Sequence, residues 1–239
     1  MNEKSISASV LSVFILLSII NLNQSSAQDA AAPFLQMPPS AVSASMGESG
    51  VAYSVNDQLH NAMNPANLGF ISENSNFGFS VYPEKMKLNT ISDDILVSSW
   101  GIYAGHGFGE IFEGAKLSAG AGFLWQEVDL GTFVEPFSGE TYNPYENAST
   151  VQLAAMLDWK VDVGIGMGVK FINSELNYVG DATAIDLGIL IRYPVFENVE
   201  ISDKFKFNLD ISGGYSLLNL GDEMKYDYNT NVPMPSHKS

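Results

Sequence analysis

The clearest pattern in this chain is an alternation of apolar and polar residues that recurs between residues 74 and 215. Alternation with period two is typical of β-strands that are apolar on one face, because successive side chains point to opposite sides. It predicts seven strands, at residues 74–82, 94–104, 115–128, 151–159, 163–171, 184–193 and 205–215. Pro83 is expected to end the first strand, and a tight reversal is expected between Asp158 and Asp162.

The segments between these strands are predicted as loops. Residues 129–150 hold two prolines, glycine and several acids, which predicts a long loop. The sequence GHGFGE around His106 resembles a glycine-rich phosphate loop, but it lacks the Lys-Ser/Thr ending and a following helix. We therefore expect a flexible turn there. Residues 224–229 are a candidate eighth strand.

Strand length and aromatic placement favour a membrane barrel. The predicted strands have about the 9–11 residues of a tilted transmembrane strand. Six aromatic residues are expected near strand ends on the apolar face, where a barrel has its interfacial girdles: Trp125, Trp159, Phe171, Tyr193, Phe205 and Tyr215. A soluble sandwich or lipocalin-like barrel alternates equally well and is the alternative. The opposite face is rich in Gly, Ser and Asn, which fits a polar lumen with room for a plug, or strands that bend.

The residues before the first strand divide into an export signal and a compact segment. Lys4, an apolar run at 6–20 and the small residues Ser25 and Ala27 predict a signal peptide, residues 1–27, cleaved after Ala27. The alternative is a retained anchor, but the run is shorter than the roughly 20 residues of a spanning helix. Residues 28–72 are predicted as a helical plug segment, and residues 73–239 as a partial β-barrel.

Composition narrows the classes of partner. The formal net charge is −16, and the chain has no cysteine. Nucleic acid is not expected as a partner, because phosphate backbones are bound through Lys and Arg clusters. Without thiols there is no disulfide framework and no thiolate metal site. The acidity suits the rims of an outer-membrane protein, although its usual meaning is solubility.

No enzyme constellation, cofactor site or metal site is predicted. Three histidines lie far apart in the sequence: His60, His106 and His237. The nucleophile motif Gly-x-Ser-x-Gly is absent. Asp222, Glu223 and Asp227 do not have the spacing of an EF-hand, so we interpret them as exposed acids at a rim.

The segment before the strands resembles a known family. PFL, ASMGESGVA and NAMNPANL occur in this order between residues 33 and 68, with predicted tight turns at Met46-Gly47 and Asn64-Pro65. They resemble the N-terminal signature of the PorV/PorQ family of outer-membrane proteins, which are related in fold to FadL-type β-barrels. Seven residues match: Met46, Gly47, Ala52, Asn64, Pro65, Ala66 and Leu68. Two positions depart from the signature, since Met63 replaces an aromatic residue and Glu48 replaces a second glycine.

The resemblance implies a transmembrane antiparallel β-barrel with an N-terminal plug, surrounded by bacterial outer-membrane lipid. PorV-type members act with the type IX secretion machinery and dock or shuttle cargo without being catalysts. The implied partners are therefore type IX components and the C-terminal domains of cargo. The alternatives are a FadL-like channel for small hydrophobic molecules and a structural outer-membrane protein.

The strand count is small for such a barrel. Eight strands close on an interior that side chains alone fill, which leaves no room for a plug. The resemblance implies more strands than seven or eight, so we expect the chain to be C-terminally incomplete.

Overall fold

The computed structural model describes residues 31–48, 50–87, 95–134, 137–176, 178–202, 205–221, 223–226, 230–235 and 237–238. Within these ranges, ten strands form one antiparallel sheet and two further strands form a separate hairpin. The expectation of an all-β fold with antiparallel strands is confirmed. The predicted signal peptide lies outside the described residues.

The described residues that precede the sheet form short helices joined by turns. Its 3-10 helices are Pro33–Gln36, Gly50–Ala52 and His60–Ala62, and its α-helices are Ala41–Ser45 and Asn67–Ile71. The side chain of Ser40 caps the first α-helix, because its Oγ accepts hydrogen bonds from the N–H groups of Val42 and Ser43. We refer to residues 31–72 as the N-terminal segment. Among the described residues, no helix is both long and apolar enough to cross a membrane.

The long strands correspond one to one to the seven predicted strands. In chain order the strands are β1 Phe77–Lys87, β2 Leu96–Phe112, β3 Ala115–Asp129, β4 Phe133–Val134, β5 Thr141–Tyr142, β6 Tyr145–Asp158, β7 Asp162–Glu175, β8 Val179–Ser202, β9 Phe205–Gly221, β10 Met224–Tyr226, β11 Thr230–Val232 and β12 His237–Lys238. The reversal predicted between Asp158 and Asp162 is confirmed. The candidate eighth strand is observed as the shorter β10, followed by β11 and β12.

Each long strand pairs with its neighbours in sequence. The order is β1-β2-β3-β6-β7-β8-β9, with β4 and β5 forming the separate hairpin. β10 pairs with β8, β11 pairs with β10, and β12 pairs with β9. Among the described residues no pairing joins β1 to β9, so the strands form an open path.

The prediction that Pro83 ends the first strand is wrong. β1 continues to Lys87 across a register shift between Tyr82 and Met86. In the described part of the chain β1 pairs only with β2. A strand at the edge of a sheet tolerates proline, because its outward N–H groups have no partner strand to satisfy.

Two loop predictions are also wrong. GHGFGE is not a turn but part of β2, where the register shifts between Gly107 and Gly109. Gly109 has a φ of 75°, so glycine here allows a β-bulge. Residues 129–150 contain the β4–β5 hairpin, in which the rings of Phe133 and Tyr142 stack 5.6 Å apart, and β6 already begins at Tyr145.

The sheet is apolar on its exposed face and polar on its buried face. We call the face that packs against the N-terminal segment the inner face, and the opposite one the outer face. The outer side chains Leu153 and Ile165 are 55% and 60% exposed, whereas Gln152, which precedes Leu153 and points to the inner face, is fully buried. A soluble antiparallel sheet has the reverse arrangement, with its apolar face buried.

Candidate functional site

A row of small residues crosses the inner face at one level. Strand pairing places six of them side by side: Gly105, Gly120, Ala154, Gly166, Gly188 and Ser216. All occupy inner positions of the alternation, and their small side chains leave space above the strands. We call this row the seat, because the N-terminal segment lies on it.

The backbone of the N-terminal segment approaches the seat too closely for a side chain. A Cβ on Gly166 would overlap the carbonyl carbon of Pro65. On the opposing surface, a Cβ on Gly69 would come within 2.8 Å of the carbonyl carbon of Ala155. Glycine is therefore required on both sides of this contact, because two backbones meet there.

Asn64 fastens the N-terminal segment to the sheet. Its Nδ2 donates to the carbonyl oxygens of Val51 at 2.8 Å and Ile189 at 3.0 Å, and its Oδ1 accepts from the N–H of Ala66 at 3.0 Å. The last bond is an Asx-turn, which fixes the turn at Pro65. Asn64 is fully buried, so these three bonds satisfy an amide that has no access to water.

The seven residues of the family resemblance fall into two groups. Four are buried against the inner face: Asn64, Pro65, Ala66 and Leu68. Ala52 packs against the buried cluster that contains Ala66, so the structure brings it to the same place. Met46 and Gly47 lie instead in the turn after the helix Ala41–Ser45.

That turn has two successive residues in the left-handed region. Gly47 has a φ of 61° and Glu48 has a φ of 63°. Glycine adopts this conformation freely, whereas the Cβ of any other residue approaches the following carbonyl oxygen. The backbone thus gives a physical reason why a second glycine suits the position of Glu48.

Two side-chain hydrogen bonds hold the first α-helix against residues 57–60. Ser40 Oγ donates to a carboxylate oxygen of Asp57 at 2.6 Å, and Ser43 Oγ lies 3.0 Å from His60 Nδ1. His60 Nε2 lies 2.6 Å from the carbonyl oxygen of Tyr53. Since a carbonyl only accepts, Nε2 carries a proton and donates it to Tyr53. Both ring nitrogens of this fully buried histidine are therefore engaged within the fold.

Three buried amides form a closed ring across the interface. Gln58 Nε2 donates to Gln152 Oε1 at 2.8 Å, Gln152 Nε2 donates to the carbonyl oxygen of Asn61 at 3.2 Å, and Asn61 Nδ2 donates to Gln58 Oε1 at 2.9 Å. All three residues are fully buried. The ring ties the middle of the N-terminal segment to β6.

A buried ion pair joins three adjacent strands on the inner face. Lys170 Nζ on β7 lies 3.1 Å from Asp186 Oδ2 on β8 and donates at 2.5 Å to Asn219 Oδ1 on β9. The Asn219 N–H donates to Asp186 at 2.8 Å, and its amide donates to the carbonyl oxygen of Pro235 at 3.2 Å. The cluster therefore holds both the strand register and the backbone at Pro235.

Arg192 anchors the end of the N-terminal segment near the short turn between β6 and β7. Its Nε donates to Asp162 at 2.8 Å, and its guanidinium carbon lies 5.1 Å from the ring centre of Phe70. A longer ion-pair contact of 3.9 Å reaches Glu73. A cation over an aromatic ring is attracted to the ring face, so Arg192 holds Phe70 in place.

An apolar cluster occupies the inner face at the end where the N-terminal segment begins. Phe34 is its largest member, 1% exposed, and packs among Val97, Val128 and Ile172. Gln126 beside it donates to the carbonyl oxygen of Phe34 at 3.2 Å. The inner face thus carries small residues along the seat and apolar residues around Phe34.

The histidines and acids that were considered as candidate catalytic or metal-binding residues do not come together in one site within the described part of the chain. His106 is exposed on β2, with its Nδ1 3.1 Å from Ser75 Oγ. Glu223 is exposed, whereas Asp222 and Asp227 lie outside the described residues. Only the backbone of His237 is described, in β12. Among the described residues, no group of three His, Asp or Glu side chains is placed to hold a metal ion.

Sequence reasoning missed the polar residues that hold the interface together. Lys170, Asp186 and Gln152 all stand at inner positions of strongly alternating strands. A charged or amide side chain on the side that packs against other protein is a signal of pairing, because a buried polar group needs a partner. The identity of each partner depends on strand register, which the alternation does not give.

This arrangement holds one segment of the chain in a fixed place. The buried amides of Asn64, Gln58 and Gln152 form hydrogen bonds across the interface, and close backbone contacts set the position of the turn at Pro65. The chain matches no model of a known protein family and no curated protein.

Proposed function

We propose that this chain contributes its strands to the wall of an outer-membrane β-barrel of PorV/PorQ type, with the N-terminal segment as the plug. The observation that carries the membrane part is an outer face that changes from apolar to polar in register across five strands. A lipid-facing wall requires this pattern, because every strand must leave the hydrocarbon at the same height.

The change occurs within one step of the alternation on β2, β3 and β7, and one step earlier on β6 and β8, where Ser149 and Thr183 are already polar. Strand pairing aligns one row on the outer face: Trp100, Trp125, Ser149, Phe171 and Thr183. The next outer row contains only polar residues: Ser98, Glu127, Asn147, Asn173 and Asp181. The aromatic side chains thus stand next to the polar step, as interfacial girdles do in membrane barrels.

The height of the apolar band fits a bilayer. On β7 its outer residues extend from Val163 to Phe171, within the span of about 9–11 residues that a tilted membrane strand needs. At the far end Phe112 and Trp159 pack edge to face, 6.1 Å apart. One predicted girdle position is wrong, since Tyr215 lies well inside β9 and pairs with Ile189, one row in from the end of the band.

The role as a docking protein of type IX secretion rests on the family resemblance and on the plug. The contact with the seat is made by four residues that match the family signature, namely Asn64, Pro65, Ala66 and Leu68. A seated segment obstructs passage through the interior. This suits a protein that presents a surface to cargo better than it suits an open pore.

Cell fractionation tests the membrane part. The protein should be recovered in the outer-membrane fraction as a band that shifts on heating before electrophoresis, because a folded barrel resists detergent. Recovery of the full-length protein as a soluble periplasmic species would overturn the proposal.

Deletion of the gene tests the secretion role. Cargo with type IX sorting domains should accumulate in the periplasm, while fatty-acid uptake stays unchanged. Normal cargo export would refute the docking role. A loss of fatty-acid uptake would favour the channel, and neither phenotype would favour a structural role.

The apolar cluster around Phe34 favours the channel as the second candidate. Apolar surface inside a polar interior suits a hydrophobic solute, and Phe34 fills that place in this structure. If the protein is a channel, Phe34→Ala should open the site and raise uptake of a long-chain fatty acid. Unchanged uptake in this variant would count against the channel.

A further inference from the structure

A shallow groove lies in the outer face, directly behind the seat. It has a volume of about 680 Å³, within the usual range for ligand sites, and its floor includes the backbones of Gly120, Gly166 and Gly188. The opposite sides of these glycines face Ser72, Pro65 and Asn64 of the N-terminal segment. One layer of backbone therefore separates the groove from the plug.

Small outer side chains create the groove. Strand pairing aligns Ala119, Ala155, Ile165 and Ile189 across four strands, so two methyl groups stand beside two larger side chains. Met167 and other large apolar residues of the next row form its walls. The groove therefore forms where small side chains on two strands lie beside large side chains on the neighbouring strands.

The side chains that line the groove favour an apolar ligand. The outer-face residues of the groove are aliphatic, apart from Tyr215 at one end. The groove also lies at the middle of the apolar band, with the polar row of Asn173 and Asp181 beyond one edge. A peptide or headgroup brings hydrogen-bonding groups that would find no partners at this depth, whereas a hydrocarbon chain brings none.

We propose that this groove binds one acyl chain of a membrane lipid in preference to the rest of the outer face. The inference rests on the proposed membrane location and adds to it a specific lipid site. Lipid tails are as apolar as the surface, so the preference comes from closer packing and not from exclusion of water. An acyl chain seated between Ala155 and Met167 makes carbon contacts on several sides instead of one.

Lipid photo-crosslinking tests the site. The full chain would be reconstituted in dioleoylphosphatidylcholine bilayers that contain a phosphatidylcholine with a diazirine in the middle of one acyl chain, and adducts would be mapped by mass spectrometry. We expect roughly threefold more adducts at Leu153, Ile165 and Met167 than at Ile102, since about five extra carbon contacts suffice for that ratio. Ile102 is a fair reference because it is 48% exposed on the same face.

A filling variant and a matched control make the test specific. Ala155→Leu should reduce the excess at the groove to the level of Ile102, because the added methyl groups occupy the space. Ala104→Leu adds the same groups on the outer face of β2, away from the groove, and should leave the excess intact. Both substitutions point away from the protein core, so folding is not at risk.

The other outcomes separate the two proposals. Adducts in proportion to exposure, or an excess that survives Ala155→Leu, would overturn the groove while leaving the membrane location in place. Adducts that avoid the groove but cover the rest of the band would also overturn it, in favour of a contact with a second copy of this chain. A complete lack of adducts on the outer face would overturn the membrane location itself.

Discussion

Asn64 and Asn67 differ in a way that isolates the contribution of the hydrogen bonds at the seat. Both are fully buried, but Asn64 makes three bonds of 3.0 Å or less, whereas Asn67 makes one long bond of 3.5 Å to Gly50 and its Oδ1 has no partner among the described residues. Asn64→Ala should lower the free energy of unfolding by about 2–3 kcal/mol, about one for each lost bond.

Asn67→Ala is the matched control, with an expected loss below about 1 kcal/mol. Urea unfolding in lipid vesicles, followed by tryptophan fluorescence, gives both values. Equal losses for the two variants would show that burial of the asparagines, and not their hydrogen bonds, holds the segment.

Glu48 carries backbone strain that the neighbouring Gly47 avoids. Replacing Glu48 by Gly removes a left-handed non-glycine residue, which costs roughly 1–2 kcal/mol, although added freedom in the unfolded chain cancels part of the gain. We expect a small rise in the free energy of unfolding for Glu48→Gly and a loss of about 1 kcal/mol for Gly47→Ala. Opposite signs in urea unfolding support the account, and a loss in both variants contradicts it.

For individual residues, the sequence could predict the turns but not the hydrogen-bond partners. The pair Asn64-Pro65 predicts a turn because proline restricts its own backbone and that of its neighbour. The partner of Asn64 on β8, Ile189, lies 125 positions away and follows only from the fold. The prediction of a turn around His106 is wrong for a related reason, since β-bulges allow this glycine-rich run to continue as a strand.

At the scale of the elements, the N-terminal segment packs on the seat. Substitutions of two glycines on β7 test how close this contact is. At Gly166 a Cβ would overlap the backbone of Pro65, whereas at Gly168 it would lie 3.3 Å from the side chains of Gln152 and Thr150. Gly166→Ala should cost about 1–3 kcal/mol of stability, because backbone cannot move aside as a side chain can. Gly168→Ala, on the same face of the same strand, should cost less than Gly166→Ala, because the side chains of Gln152 and Thr150 can shift by a few tenths of an ångström.

Limited proteolysis provides a second measurement for this pair. Displacement of the N-terminal segment should make Gly166→Ala more sensitive to cleavage within residues 31–72 than the parent or Gly168→Ala. Equal sensitivity of the three proteins would mean that the segment does not rest on the seat.

The buried ion pair couples β7, β8 and β9. Lys170→Met leaves the Asp186 carboxylate without its counter-charge, and breaking a buried pair in this way costs about 3–5 kcal/mol. Adding Asp186→Asn removes the unpaired charge and keeps an acceptor for the Asn219 N–H, so the double variant should be more stable than Lys170→Met alone. Urea unfolding of both variants checks this order, and a double variant less stable than Lys170→Met would contradict it.

Strand identity could be predicted well from the sequence, and strand ends poorly. The alternation on β6 and β7 is nearly perfect, and there the observed strands contain all the predicted residues except Trp159, although β6 begins earlier than predicted, at Tyr145. β8 continues to Ser202, beyond the predicted residue 193, because its end pairs with β9 alone and crosses several register shifts. Pairing with one neighbour is enough to stabilise this end of the strand. Its bulges interrupt the alternation of apolar and polar residues by which a strand is recognised in the sequence.

At the scale of the whole molecule, the sheet has its apolar residues outside and its polar residues inside. Composition gives no hint of this inversion, because the same residues would suit a soluble sandwich with the faces exchanged. The inversion follows from the side on which the N-terminal segment packs. Its glycines, asparagines and serines fit the small polar face, which leaves the aliphatic face without a protein partner in the described part of the chain.

Cysteine accessibility in membranes tests this account most directly, because the chain has no cysteine of its own. Single substitutions on the outer face of β7, Ile165→Cys and Met167→Cys, would be compared with Asn173→Cys in the polar row. The proteins would be treated with a membrane-impermeant maleimide in sonicated membranes. We predict rapid labelling at position 173 and labelling at positions 165 and 167 only after denaturation, since lipid would cover the apolar band in the proposed membrane location. Labelling of Ile165 and Met167 in native membranes as fast as Asn173 would contradict the account.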